Sequence, residues 1–169
     1  MRAAVIEVPL RRDASYDFDV ASVLARCDSQ VKLVFLCSPN NPTGNRLSES
    51  NILELTRALS GRALVVVDEA YVEFADAPSL LGRLPDHPGL IILRTLSKAY
   101  GLAGARCGVL LGHADVVALL RRVIQPYAVT QLTIEAVFKA LAPAALAQSQ
   151  DHIAILKSCL LYTSPSPRD

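Results

Sequence analysis

The chain has 169 residues, a formal net charge of +1 and 51% hydrophobic residues. That is enough apolar material for one packed core, and it is not the composition of a disordered chain. The near-neutral balance gives no reason to expect nucleic acid or an acidic surface as partner, and no apolar run reaches the ~18 residues that a membrane span needs.

In chain order, strand-like runs fall at residues 5–8, 31–37, 63–67, 90–93 and 107–111. Residues 31–37 and 63–67 are almost continuously apolar, the pattern of strands covered on both faces. Helical patterns lie between and after them. Residues 51–60 carry Ile52, Leu55 and Leu59 on one face, with Ser48 or Ser50 as cap and Gly61 as stop signal. Asp115 is expected to cap a helix over 116–124, Thr130 to open one running through Leu141, and a further helix is read over 151–158. Alternating strands and helices predict an α/β fold, a mostly parallel sheet flanked by helices. The four cysteines show no CxxC spacing and the three histidines no metal-ligand spacing, so no metal is expected. A reducing, cytoplasmic setting fits this cysteine usage.

In such sheets ligands bind outside the carboxyl ends of the strands, and the polar clusters of this chain fall there. Residues 31–37 run into Ser38-Pro-Asn-Asn-Pro-Thr-Gly44, residues 63–67 into Asp68-Glu-Ala-Tyr71, and residues 90–93 into Arg94-Thr-Leu-Ser-Lys98. Three strand ends would thus offer chemistry to one crevice. Asn41 is followed by Pro42, whose ring fixes φ, so its amide could be held toward a ligand oxygen; the plain alternative is an ordinary turn. Asp68 at the tip of a buried strand needs a partner, because an unpaired buried charge is costly. That partner is either a helix N-terminus or arginine, or a ligand cation such as a pyridinium nitrogen. Tyr71 either reaches the same ligand or packs with its hydroxyl at the surface. Glu69 and Glu73 are expected to face solvent or to stand behind these groups.

The stretch Thr95-Leu-Ser-Lys-Ala-Tyr-Gly-Leu-Ala-Gly-Ala-Arg106 carries the most information. Lys98 follows a branched apolar run, which predicts a partly desolvated amine, and desolvation disfavours the charged form and favours a nucleophile. Gly101, Gly104 and Gly108 allow close backbone approach, and Arg106 suits an oxyanion such as phosphate. An amine for an aldehyde, with hydroxyl and guanidinium for a phosphate, is how a pyridoxal 5′-phosphate (PLP) site would be built. The alternative is that Lys98 caps a strand and Arg106 is a surface ion-pair partner.

These three motifs, in this order and spacing, resemble the class I/II aminotransferases of PLP fold type I over roughly residues 1–158. Within that family the wording is closest to the histidinol-phosphate branch, and threonine-phosphate decarboxylases share much of it. The resemblance implies that Lys98 carries the cofactor covalently and acts as general base, and that Asp68 pairs with the ring nitrogen. It implies that Asn41 and Tyr71 hydrogen-bond the ring oxygen, and that Ser97 and Arg106 hold the phosphate. It also implies a small-molecule amino donor, a 2-oxo acid acceptor and a homodimer. The segment reads as the central part of a three-layer large domain. The flanking parts that normally supply a phosphate loop, a stacking aromatic and a substrate-binding arginine are expected to be missing, so the isolated chain should turn over little or no substrate. Residues 159–169 resemble the translation of a transposase-type sequencing adapter and are expected to be non-native; a native Ser-Pro tail is the alternative. A non-catalytic PLP-binding regulatory module is the competing function class.

Overall fold

In a computed structural model of the chain, residues 4–163 are described. Four strands, β1 (Leu33–Cys37), β2 (Leu64–Asp68), β3 (Leu90–Thr95) and β4 (Gly108–Gly112), form one sheet in the order β1-β2-β3-β4. The β1–β2 and β2–β3 pairs are parallel, with Cys37 opposite Asp68 and Asp68 opposite Leu93. The helices are α1 (Val20–Arg26), α2 (Glu49–Ala58), α3 (Ala114–Arg121), α4 (Gln131–Ala140) and α5 (Pro143–Thr163). The architecture is the expected α/β one, with a mostly parallel sheet. Among the described residues no helix is long and apolar enough to cross a membrane. The chain divides into two compact units, one of residues 1–94 with 109–124 and one of residues 95–108 with 125–169.

The first unit holds the core. Side chains alternate across a strand, so Val65, Val67, Leu90 and Ile92 share one sheet face, and all four are fully buried. They pack in one cluster with Val20 and Val23 of α1 and Ile52, Leu55 and Leu59 at α2, together with Phe18, Leu47 and Leu80. Each such aliphatic side chain contributes about 1.5–3 kcal/mol on leaving water. Ser48 caps α2 by accepting from the Asn51 amide, and Gly61, at φ +72°, turns the chain out after it. α1 begins at Asp19, whose carboxylate accepts from the Ser22 hydroxyl at 2.6 Å and amide at 2.8 Å; these bonds hold its carboxyl below the usual aspartate range.

Asp17 joins the two ends of this unit's helical layer. Its carboxylate accepts from the amides of Phe18 at 2.9 Å and Ser48 at 3.2 Å and from the Asn51 side-chain amide at 3.0 Å. It also places negative charge at the N-terminus of α2. Asp17→Ala is therefore expected to lower stability by about 1–3 kcal/mol, read as an earlier urea midpoint with an unchanged slope.

The second unit consists of the segment after β3 and the last two helices. Thr130 caps α4 by accepting from the Thr133 amide at 3.2 Å, as the sequence predicts. α4 and α5 pack on each other, and the Thr133 hydroxyl donates to the Ala105 carbonyl at 3.4 Å.

Several expectations are corrected. Residues 5–8 form no strand, and Val5 is 84% exposed: a short apolar run becomes a strand only against a partner edge, and none of the described residues pairs with it. β1 is not covered on both faces. Leu33 and Phe35 are 50% and 65% exposed, because α1 and α2 cover one face of this edge strand. The cap of α3 is His113, whose Nδ1 accepts from the Asp115 amide at 3.4 Å, so Asp115 lies in the first turn instead. The helix read over 151–158 is longer at both ends, running from Pro143 to Thr163 and so into the first residues of the adapter-like tail. No proline stands between Pro143 and Thr163, so every residue after the first can donate its amide to the helix. Residues 164–169 of the adapter-like tail lie outside the described residues.

Candidate active site

In the first unit the carboxyl ends of three parallel strands lie level. The Ser38 amide donates to the Asp68 carbonyl at 3.0 Å and the Glu69 amide to the Leu93 carbonyl at 2.9 Å, which extends the ladder one step beyond the strands. The loop after β1 is tied to itself. Asn40 donates its amide to the Asn45 carbonyl, Gly44 returns the bond to Asn40, each at 2.8 Å, and Gly44 makes the turn at φ +73°. The buried Ser38 hydroxyl accepts from the Leu47 amide at 3.0 Å and pins the loop's far end. Asn41 is left exposed on this frame, and its side-chain amide donates to the Tyr71 phenol at 3.2 Å. Two residues thirty positions apart are thereby brought together.

Asp68 is half-buried at the end of β2, and its Oδ1 accepts from the Ala70 amide at 3.0 Å. The chain turns there, since the Val72 amide donates to the Glu69 carbonyl at 3.1 Å and a 3-10 turn follows over Val72–Phe74. Glu69 does not face solvent. It is 1% exposed, and its carboxylate accepts from the Ser79 hydroxyl at 2.5 Å and the Leu80 amide at 2.8 Å. Arg94 approaches it at 3.5 Å and pairs with Glu73 at 2.6 Å. The signal was in the register: Asp68 stands opposite Leu93, so the next residues along, Glu69 and Arg94, are neighbours.

The second unit holds Ser97, Lys98 and Arg106. The segment closes on itself, with the Leu96 amide donating to the Cys107 carbonyl at 3.2 Å and the Leu102 amide to the Leu96 carbonyl at 2.9 Å. The Ser97 amide donates to the Thr95 hydroxyl at 3.1 Å. Lys98 opens a turn, its carbonyl accepting from the Gly101 amide at 3.1 Å, with Gly101 at φ +67°. The expected desolvation of Lys98 is not met. The residue is exposed, because the fully apolar run of β3 ends five positions earlier and Leu96 is the last buried side chain before it. Arg106 sits at φ +50°, a left-handed conformation that costs a non-glycine residue roughly 1 kcal/mol or more, and its Nη1 donates to the Ala103 carbonyl at 3.1 Å. Gly104 has no positive φ, and the space where a Cβ would stand is open.

The donor sets can be read unit by unit. A carboxylate at the end of β2, three residues before the phenol of an amide–phenol pair, suits a flat ring that bears a cationic N–H and an anionic oxygen. An amine, a hydroxyl and a guanidinium suit an aldehyde and a phosphate. Among the described residues no group of three or more His, Cys, Asp or Glu could hold a metal ion.

A family model for aminotransferase class I and II matches residues 1–158. The histidinol-phosphate aminotransferase of Vibrio cholerae is 46% identical over 144 residues, which is 85% of this chain and 41% of that protein. The Haemophilus influenzae enzyme of the same name is 48% identical over 122 residues, 72% of this chain and 35% of that protein. The chain thus spans about two fifths of the length of these relatives. Among solved structures, histidinol-phosphate aminotransferase from Sinorhizobium meliloti in complex with pyridoxal-5′-phosphate superposes with a TM-score of 0.71 at 32% identity, covering 88% of this chain and 39% of that one.

Proposed function

The chain belongs to the class I and II aminotransferase family, and from that premise we propose that it is the central, cofactor-binding part of a PLP-dependent enzyme. The reaction is amino transfer between L-histidinol phosphate and 2-oxoglutarate, giving imidazole acetol phosphate and glutamate, in histidine biosynthesis. The observation that carries the reading is the Asn41–Tyr71 hydrogen bond at the strand ends, one turn from the Asp68 carboxylate. The substrate is supported by the names and identities of the relatives.

When bound, PLP supplies an electron sink that makes the substrate's Cα–H bond labile. Asp68 holds a proton on the ring nitrogen. Asn41 and Tyr71 donate to the ring oxygen, and the bond between them fixes both donors before the ligand arrives. Ser97 and Arg106 bind the phosphate, for which the guanidinium offers a planar fork of donors. The Lys98 amine would hold the aldehyde and, when free, would serve as the general base that takes the substrate's Cα proton and delivers it to the carbon on the far side of the amino nitrogen. The working enzyme is a cytoplasmic homodimer. Residues 1–158 form part of its large domain, and residues 159–169 lie outside it, as the extent of the family match supports.

The test places residues 1–158 in the frame of the Vibrio cholerae relative and follows glutamate formation from L-histidinol phosphate and 2-oxoglutarate. Turnover is expected, while the 169-residue chain alone gives little or none for want of positioning groups. Release of carbon dioxide from threonine phosphate without amino transfer would instead assign the chain to the decarboxylase branch.

A further inference from the structure

We propose that Glu69, clamped by Arg94 together with Glu73, is the positioning residue that sets Tyr71 against Asn41; the catalytic meaning of this rests on the cofactor reading above. Glu69 is held from three directions. Its amide donates to the Leu93 carbonyl at 2.9 Å, its carbonyl accepts from the Val72 amide at 3.1 Å, and its carboxylate takes the Ser79 hydroxyl, the Leu80 amide and the Arg94 guanidinium. A carboxylate 1% exposed is tolerated only when its lone pairs are filled in this way. The same guanidinium pairs with Glu73 at 2.6 Å. Tyr71 therefore lies midway between two acidic residues that converge on one cation. Its backbone is fixed on both sides, and its phenol is left to meet the Asn41 amide at 3.2 Å.

The clamp also reaches Asp68. That residue precedes Glu69, and its Oδ1 accepts from the Ala70 amide inside the turn that Glu69 anchors. None of Glu69, Arg94 and Glu73 is assigned a ligand contact. They act through Tyr71 and Asp68, and fixed donors lose less freedom when a ligand binds.

The experiment is NMR of the side-chain amide of Asn41 in the 169-residue chain without cofactor. Tyr71→Phe removes the acceptor and defines the shift of the unbonded amide. Glu69→Gln keeps the shape but weakens the clamp, and it is expected to move the Asn41 resonance most of the way to the Tyr71→Phe position. Amide exchange should rise over residues 70–75 and stay unchanged in β1. An Asn41 resonance that stays at the parental position while the melting temperature falls would make Glu69 a structural residue only, and the proposal would fail. Should Glu69→Gln not fold, Arg94→Lys leaves Glu69 its Ser79 and Leu80 donors and is read the same way. A PLP titration of the same variants supplies the second arm, with binding expected to weaken roughly tenfold in Glu69→Gln, about 1.4 kcal/mol. The titration is repeated with residues 1–158 in the frame of the Vibrio cholerae relative, where absence of PLP binding overturns the cofactor reading, and the Asn41 shift decides the clamp in either case.

Discussion

Lys98→Ala is expected to abolish covalent retention of PLP by the chain and, with residues 1–158 in the frame of the Vibrio cholerae relative, to lower amino transfer by about 10⁴-fold or more, because one side chain is both the nucleophile and the proton carrier. The readout is intact mass after borohydride reduction, followed by peptide mapping. The chain has three other lysines, Lys32, Lys139 and Lys157, so the experiment has internal competitors. Lys32 already donates to the Ser29 carbonyl at 2.7 Å, in the loop before β1. Cofactor fixed at any of these three, or undiminished retention in Lys98→Ala, would remove Lys98 from its assigned role. Lys98 is exposed, so the substitution buries nothing and leaves no cavity; folding should be unchanged within about 0.5 kcal/mol.

Asp68→Asn should separate binding from chemistry. The amide keeps the size of the side chain and an oxygen for the Ala70 amide, but it cannot hold a proton on the ring nitrogen. Retention of PLP at Lys98 is expected to survive while kcat, measured in the frame of the Vibrio cholerae relative, falls by about 10²-fold or more, comparable to losing one preorganised electrostatic contact. Asp68→Glu should recover part of that loss. Equal losses of cofactor retention and turnover in Asp68→Asn would show that the carboxylate holds the turn rather than the ring, since its recorded partner is the backbone of Ala70.

How far the sequence was legible varies by residue. β2 could be read outright, because Val65, Val66 and Val67 are a branched run with no competing helical period, and all three are buried. α2 could be read from its cap, its stripe of Ile52, Leu55 and Leu59, and the glycine that ends it. α1 was missed. It is seven residues long, too short for a period to stand out, and only Asp19 followed by Ser22 marks its start. The apolar residues 5–8 misled for the opposite reason, since composition without a partner strand does not make a strand.

The candidate site shows the same division. Asn41, Asp68, Tyr71, Ser97, Lys98 and Arg106 stand out in one dimension because each lies at a strand exit or within a glycine-bearing turn, where chemistry is presented. Glu69 and Glu73 were left between solvent and a place behind these groups, since nothing local to either residue decides its burial. Glu69 lies at a strand end like Asp68, yet it is buried while Asp68 is only half-buried. The difference comes from Arg94, Ser79 and Leu80, residues 25, 10 and 11 positions away.

The sequence by itself determined the strands and helices with strong periods, the order of the motifs and the chemical type of each candidate group, because local sterics and hydrophobic spacing act within a few residues. Only the tertiary structure decided which carboxylate is buried, that Asn41 meets Tyr71, that one face of β1 stays open and that Lys98 is exposed. Those outcomes depend on what packs against each residue from elsewhere in the chain, and neighbours distant in sequence set burial, charge pairing and hydrogen-bond partners.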